Sequence, residues 1–194
     1  MNPKNFNTEK NIEPIRFSLA DHPAIERYSV AQRVLHWLVA GLIIAALGLA
    51  FYTDDMPLSP KKIQYIAWHK SLGISVLTLV AIRLVIRLLT KQPKPINAPA
   101  WQNYLAACVH GGLYVLMFVV PLCGWLSSNS HGYGVRYFGW FDLPRLIEAN
   151  ESLAHQLKEA HEVLGFSLLA LVVLHVAASV YHALKKDGTI RRML

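Results

Sequence analysis

Residues 161–182 have the sequence HEVLGFSLLALVVLHVAASVYH, an apolar stretch long enough to cross a lipid bilayer that nevertheless contains three histidines. A spanning helix needs about 20 mainly apolar residues, because the hydrocarbon core is about 30 Å thick and each residue rises about 1.5 Å. Three further stretches meet this requirement, at 34–52, 66–89 and 104–126, and the fourth extends over 161–184. The sequence therefore predicts an all-α integral membrane protein, a four-helix bundle.

Composition and charge agree with this prediction. Of the 194 residues, 54% are hydrophobic and 16% are charged, which is unusually apolar for a soluble domain. Residues 1–26 are polar and lack an apolar core, so we expect a mobile tail before a transmembrane domain at 27–194. The net charge of +7 comes from cations near the span ends, which favours anionic lipid headgroups over nucleic acid as the partner.

The distribution of Lys and Arg predicts the orientation. Most of the 19 cations lie in the N-terminal flank, around the connector after the second span and in the C-terminal tail. Cytoplasmic flanks of membrane spans are enriched in Lys and Arg. We therefore predict that both termini are cytoplasmic.

Histidines inside the spans indicate where the chemistry lies, because an ionisable side chain within a membrane is costly and marks a functional site by default. The spans contain His36 in the first, His69 in the second, His110 in the third, and His161, His175 and His182 in the fourth. Proton relay, metal binding and haem ligation are all compatible with such residues. A single one of them could equally be a structural histidine bonded to a carbonyl group.

Spacing favours haem. His161 and His175 are fourteen residues apart, which places them on one helix face, about 21 Å apart along the axis. They cannot share one metal ion, whose ligands lie about 2 Å from its centre. Two haems, one nearer each membrane surface, suit this separation. Depth then pairs His69 with His161 on the external side and His36 with His175 on the cytoplasmic side.

The haem type and the space for it also follow from the residues. The sequence has only two cysteines and no C-x-x-C-H motif, which excludes a Cys₄ iron–sulfur cluster and a covalently attached c-type haem. The predicted cofactors are thus two b-type haems. Gly73 and Gly165 each follow a predicted ligand by one turn and would leave room for a porphyrin edge, although glycines are also common at helix contacts in membranes.

The chain resembles the bacterial cytochrome b561 family over roughly residues 26–194. The resemblance lies in YSVAQRVLHWL, WHKSLGISVLTLVAIRLVIRL, HGGLYVLMFVVPLCGWLSS and HEVLGFSLLALVVLHVAASVYHALKKDGTIRRML. It is strongest to free-standing members that oxidise superoxide and reduce ubiquinone, and it implies a multi-pass protein of the bacterial inner membrane. The family's axial histidines match His36, His69, His161 and His175, whereas His110 and His182 match recurrent histidines that are not ligands.

Substrate residues are predicted from charge. Superoxide is an anion, so its site needs cations near the external haem; the candidates are Lys70, which adjoins His69, together with Lys61, Lys62 and Arg136. Quinone reduction needs a proton carrier, for which His182 is the candidate and His110 a further polar group. Arg83 and Arg87 are expected to pair with haem carboxylates or to serve the quinone site.

The loop before the fourth span is predicted to contain a short helix. Leu146, Leu153, Leu157 and Leu164 recur at helical spacing after Pro144, which predicts a short helix over the external haem.

One alternative function is a cytochrome anchor that relays electrons between a partner dehydrogenase or hydrogenase and quinone. The other is a histidine-lined transporter, which would be expected to have broken helices or an internal repeat. The sequence does not define the direction of electron flow.

Overall fold

The computed structural model describes residues 27–94 and 98–194, so the tail predicted at 1–26 lies outside the described residues. The elements are α1 (Val30–Asp54), α2 (Pro60–Leu89), α3 (Ala100–Ser130), β1 (Arg136–Tyr137), β2 (Phe141–Asp142), α4 (Glu151–Lys185) and a 3₁₀ helix (Ile190–Arg192). The two strands form an antiparallel hairpin between α3 and α4. All four α-helices are long and apolar enough to cross a membrane, which confirms the predicted fold class.

Helices α2 and α4 each begin at a polar capping residue, several residues before their apolar stretches. The Ser59 hydroxyl accepts a hydrogen bond from the backbone N–H of Lys62 at 3.2 Å, with Pro60 in the first turn of α2. Asn150 accepts from the N–H of Leu153 at 3.0 Å and begins α4. Such side chains satisfy backbone donors that the first helical turn leaves unpaired.

The prediction of a separate short helix after Pro144 is wrong. The helical spacing that begins at Leu153 belongs to α4 itself, whereas Leu146 lies in the irregular segment before Asn150. At 35 residues, α4 is longer than the roughly 20 that a bilayer requires. Its exposed, polar first turns, where His155 pairs with Glu159 at 3.5 Å, account for the additional length.

The helices pack as two close pairs, α1 with α2 and α3 with α4, and α2 joins the pairs through α3. Within the described ranges, the backbone of α4 stays farther from α1 and α2 than the closely packed helices are from each other. An apolar core spans this separation with side chains from all four helices: Val39, Ile43, Val76, Val80, Met117 and Leu168. Leu168 is seven residues from both His161 and His175, so the core lies between the two histidine levels.

The two ends of residues 27–194 meet at one end of the bundle. The backbone N–H of Tyr28 donates to the carbonyl of Arg192 at 3.1 Å, and the Trp37 indole donates to the carbonyl of Met193 at 3.0 Å. We call this end the terminal side and the opposite end, which has the hairpin, the hairpin side. Four spans require residues 27 and 194 to lie on the same side, as found here.

Candidate haem site

Two pairs of histidine rings meet across the separation between α4 and the α1–α2 pair. The ring centres of His69 and His161 are 6.1 Å apart, with 89° between the ring planes. Those of His36 and His175 are also 6.1 Å apart, with 74° between the planes. These hairpin-side and terminal-side pairs bring together the residues that depth predicted to pair.

The spacing of each pair fits a metal ion between the rings. An imidazole nitrogen binds a metal at about 2.0 Å, so the centres of two opposed rings lie roughly 6.3 Å apart. Within the described ranges, no group of three or more His, Cys, Asp or Glu side chains could hold a metal ion. An iron at either pair would therefore need further ligands, such as porphyrin nitrogens.

Backbone carbonyls orient the hairpin-side rings. The Nδ1 atoms of His69 and His161 lie 2.9 Å from the carbonyl oxygens of Ala46 and Val120, respectively. A carbonyl only accepts hydrogen bonds, so Nδ1 must bear the proton in both rings. Nε2 then keeps the lone pair that a metal requires, which is the usual arrangement of a ligating histidine.

Gly124 of α3 allows the His161 ring to lie where it does, although no sequence pattern marked this glycine. A Cβ atom at this position would come within 2.9 Å of His161 Cε1. Helix α3 thus provides both the Val120 carbonyl and the space beside it for the His161 ring.

The two glycines predicted to border haem differ in their surroundings. A Cβ at Gly165 would meet no atom within 4 Å, as expected beside open space. A Cβ at Gly73 would lie 3.7 Å from Pro121 Cβ, so Gly73 lies at the contact between α2 and α3. Their roles in haem binding stay a prediction.

Lys70 and Arg136 lie on the hairpin side. The half-buried ammonium of Lys70 donates to the Ser128 hydroxyl at 2.8 Å. Exposed Arg136 donates through Nε to the Gly139 carbonyl at 3.1 Å, within the hairpin tip. Of the other two cations considered from sequence, Lys61 lies over the Tyr65 ring, and Lys62 donates to the Met56 carbonyl at 2.7 Å.

The hairpin is held against α2 close to His69. The Ser71 hydroxyl accepts from the backbone N–H of Phe138 at 2.9 Å, and the hydroxyls of Ser75 and Tyr137 are 3.0 Å apart. Ser71 is fully buried although it lies within a membrane-spanning helix. Sequence reasoning missed these two serine contacts, since both residues look like ordinary small residues of a span.

Arg83, Arg87 and His110 gather near the terminal-side pair. Arg83 donates to the Tyr114 hydroxyl at 3.0 Å, and the Arg87 guanidinium lies over the Tyr114 ring. The ring centre of His110 is 5.4 Å from that of His175. The terminal-side pair thus lies beside two cations and a third imidazole.

His182 organises the segment after α4. Its Nδ1 is bonded to one carboxylate oxygen of Asp187, whose other oxygen accepts from Thr189 N–H at 3.0 Å. Slight desolvation works against ionisation of this carboxyl, but hydrogen bonds from Thr189 and His182 lower the pKa of Asp187 to about 2. The carboxylate therefore stays ionised at neutral pH and fixes the direction of the chain towards the 3₁₀ helix.

That returning segment forms one wall of a cleft of about 490 Å³ on the terminal side. Its lining residues are Val30, Arg33, Val34, Trp37, Met193 and Leu194. The Trp37 ring contacts the His36 ring edge-on, with 5.3 Å between centres. The cleft thus adjoins a residue of the terminal-side pair, whereas His182 is not part of its lining.

Four spanning helices with two facing histidine pairs are the arrangement expected of a helical membrane cytochrome. The family model for prokaryotic cytochrome b561 matches residues 27–194, and the chain belongs to this family. It is 30% identical over 178 residues to "Cytochrome b561 homolog 2" of Escherichia coli (strain K12), covering 87% of this chain and 92% of that protein. It is also 30% identical over 177 residues to "Probable superoxide oxidase CybB" of Yersinia pestis, with 87% and 96% coverage. "Cytochrome b562" of Cereibacter sphaeroides is 26% identical over 174 residues, with 86% and 94% coverage.

Family membership establishes the class of function. The protein is a membrane electron-transfer protein of the b561 type, and its family implies b-type haem. It is a multi-pass protein of the bacterial inner membrane. The transporter alternative is therefore set aside.

Proposed function

We propose that this protein binds two b-type haems and transfers electrons from superoxide to a quinone, with ubiquinone as the acceptor. The single observation that supports it best is the presence of two opposed histidine pairs, each with ring centres 6.1 Å apart, on either side of an apolar core. Haem b, when bound, supplies reversible one-electron chemistry. His69 with His161 and His36 with His175 would each hold one haem iron, and substrates would then exchange electrons without binding iron.

The reaction balances over two turnovers at the donor site. Two superoxide anions each lose one electron and leave as O₂. The two electrons, together with two protons, convert one quinone to the quinol. We place the hairpin side outside and both termini in the cytoplasm, because the terminal side has most of the cations.

Lys70 and Arg136 are proposed to attract superoxide on the hairpin side. Lys70 follows the ligand candidate His69 directly, and the Arg136 carbonyl lies 3.4 Å from the hydroxyl of Ser71, two residues after that ligand. A positive charge beside a low-dielectric wall raises the local concentration of a small anion.

The terminal-side cleft is the proposed quinone site. It opens among exposed apolar side chains, including Val30 and Val34, and among its described lining residues only Arg33 has a charged side chain. An apolar cleft with one or two hydrogen-bond donors suits an isoprenoid quinone. His182 is the proposed proton carrier, and its bond to Asp187 orients the chain that forms the wall.

Superoxide-driven haem reduction tests the donor site. Lys70→Gln should slow this reduction several-fold at low ionic strength, because one steering charge is lost, and the difference should shrink as salt screens the field. Lys158→Gln removes the same charge from an exposed position in the first turns of α4, where no superoxide role is proposed, and serves as the control. Rates would be measured by stopped-flow absorbance.

Two outcomes would count against this donor site. Equal effects of the two substitutions would show that Lys70 has no special role. A wild-type protein that binds haem but is not reduced by superoxide would instead favour the anchor function, with electrons supplied by a partner dehydrogenase or hydrogenase.

Filling the cleft tests the quinone site. Val34→Trp should raise the KM for a short-chain ubiquinone several-fold, because the new indole occupies the cleft, while haem reduction by superoxide stays unchanged. The control Ile44→Trp places the same indole on α1 at another exposed position. Steady-state quinone reduction gives the KM, and an unchanged value for Val34→Trp would exclude this cleft.

A further inference from the structure

Two buried side-chain N–H groups in the described part of the chain have no hydrogen-bond partner: Nε of Arg33 and Nε1 of Trp125. Arg33 lines the terminal-side cleft. The Trp125 indole belongs neither to the two histidine pairs nor to the cleft. A buried donor without an acceptor is costly, and its presence in a native fold calls for an explanation.

The neighbours of Trp125 along α3 place it at the level of the hairpin-side pair. The preceding residue, Gly124, lies against the His161 ring. Pro121, one turn earlier, faces Gly73, and Ser128, nearly one turn later, accepts from Lys70. Because residues three and four apart share a helix face, Trp125 lies on the side of α3 that faces α2 near His69.

A haem at this pair would bring acceptors to the same place. Haem b has two carboxylates, and an ionised carboxylate in a low-dielectric site requires donors or cations. The Trp125 indole is a donor that cannot accept, so it suits an acceptor-only group.

We propose that the Trp125 indole N–H donates a hydrogen bond to a carboxylate of the haem held by His69 and His161. Trp125 is then a positioning residue that also sets the reduction potential of that haem, since the hydrogen bond offsets the negative charge near iron. This inference rests on the proposed haem at the hairpin-side pair.

The test compares Trp125→Phe with Trp101→Phe in the purified haem-containing protein. Trp101 lies at the start of the same helix and is 65% exposed, so it provides a matched control. Midpoint potentials of both haems would be measured by spectroelectrochemistry. Redox-difference infrared spectra would be recorded with ¹³C-labelled haem carboxylates.

Trp125→Phe should lower one of the two midpoint potentials and shift one carboxylate band, with both haems retained. The potential should fall because a less compensated carboxylate favours ferric iron. Trp101→Phe should change neither, and Trp125→His, which restores a ring N–H, should recover part of the shift. Unchanged potentials and bands in Trp125→Phe, with both haems present, would overturn the inference.

A measurement on the unmodified protein covers the case in which the Trp125 variants fail to fold. Labelling tryptophan with indole ¹⁵N should reveal an N–H band that responds to haem reduction, and its absence would also overturn the inference. A protein without haem would contradict the proposed function itself. The two failures are therefore distinguishable.

Discussion

Replacing His69 or His161 by alanine should remove one of two haems and leave the other. The two rings face each other at 6.1 Å, and each is oriented by a carbonyl bonded to its Nδ1. Loss of either imidazole leaves a single protein ligand, which should not retain haem through purification. Haem per chain should fall from about two to about one, as measured by the pyridine haemochrome assay against protein concentration.

The same result is expected for His36 or His175, with loss of the other haem. Two controls separate ligation from general damage. His155→Ala removes an exposed histidine from the first turns of α4 and should retain both haems. His110→Ala should also retain both, although its ring lies 5.4 Å from that of His175. Loss of haem from His110→Ala, with retention in His36→Ala, would show that the terminal-side pair is assigned wrongly.

Gly124→Ala should remove the hairpin-side haem without unfolding the bundle. A Cβ at this position would lie 2.9 Å from His161 Cε1 and 3.0 Å from Nδ1, so the ring must move. This movement of the His161 ring should break its hydrogen bond to the Val120 carbonyl and turn its Nε2 away from His69. We expect at least half of this haem to be lost, although alanine by itself favours the helix.

Gly111→Ala is the matched control for this substitution. Gly111 also lies in α3, and a Cβ there would meet no atom within 4 Å. It should retain two haems and a helical circular dichroism spectrum equal to that of the wild type. Equal haem content in Gly124→Ala and Gly111→Ala would mean that the His161 ring does not need the space beside α3.

The spans and histidine pairs could be predicted because each depends on a strong, local physical rule. A bilayer requires about 20 apolar residues per helix, and helical geometry fixes the relation between His161 and His175. The polar ends of the helices were underestimated, since Ser59 and Asn150 begin helices in water where hydropathy gives no signal.

Features that arise from contacts between distant segments could not be predicted. Gly124 matters only because α4 places His161 against it, and α3 by itself shows an ordinary small residue. Ser71 and Ser75 become docking points because the hairpin returns to α2. The short helix after Pro144 was predicted wrongly because leucine spacing does not show where one helix begins and an irregular segment ends.

The haem content of the unmodified protein tests the central claim most directly. Protein expressed with ample haem and purified intact from membranes should contain two b-type haems per chain, both low-spin in the ferric state by electron paramagnetic resonance. Folded protein that is colourless, or that contains iron without protoporphyrin, would contradict the account.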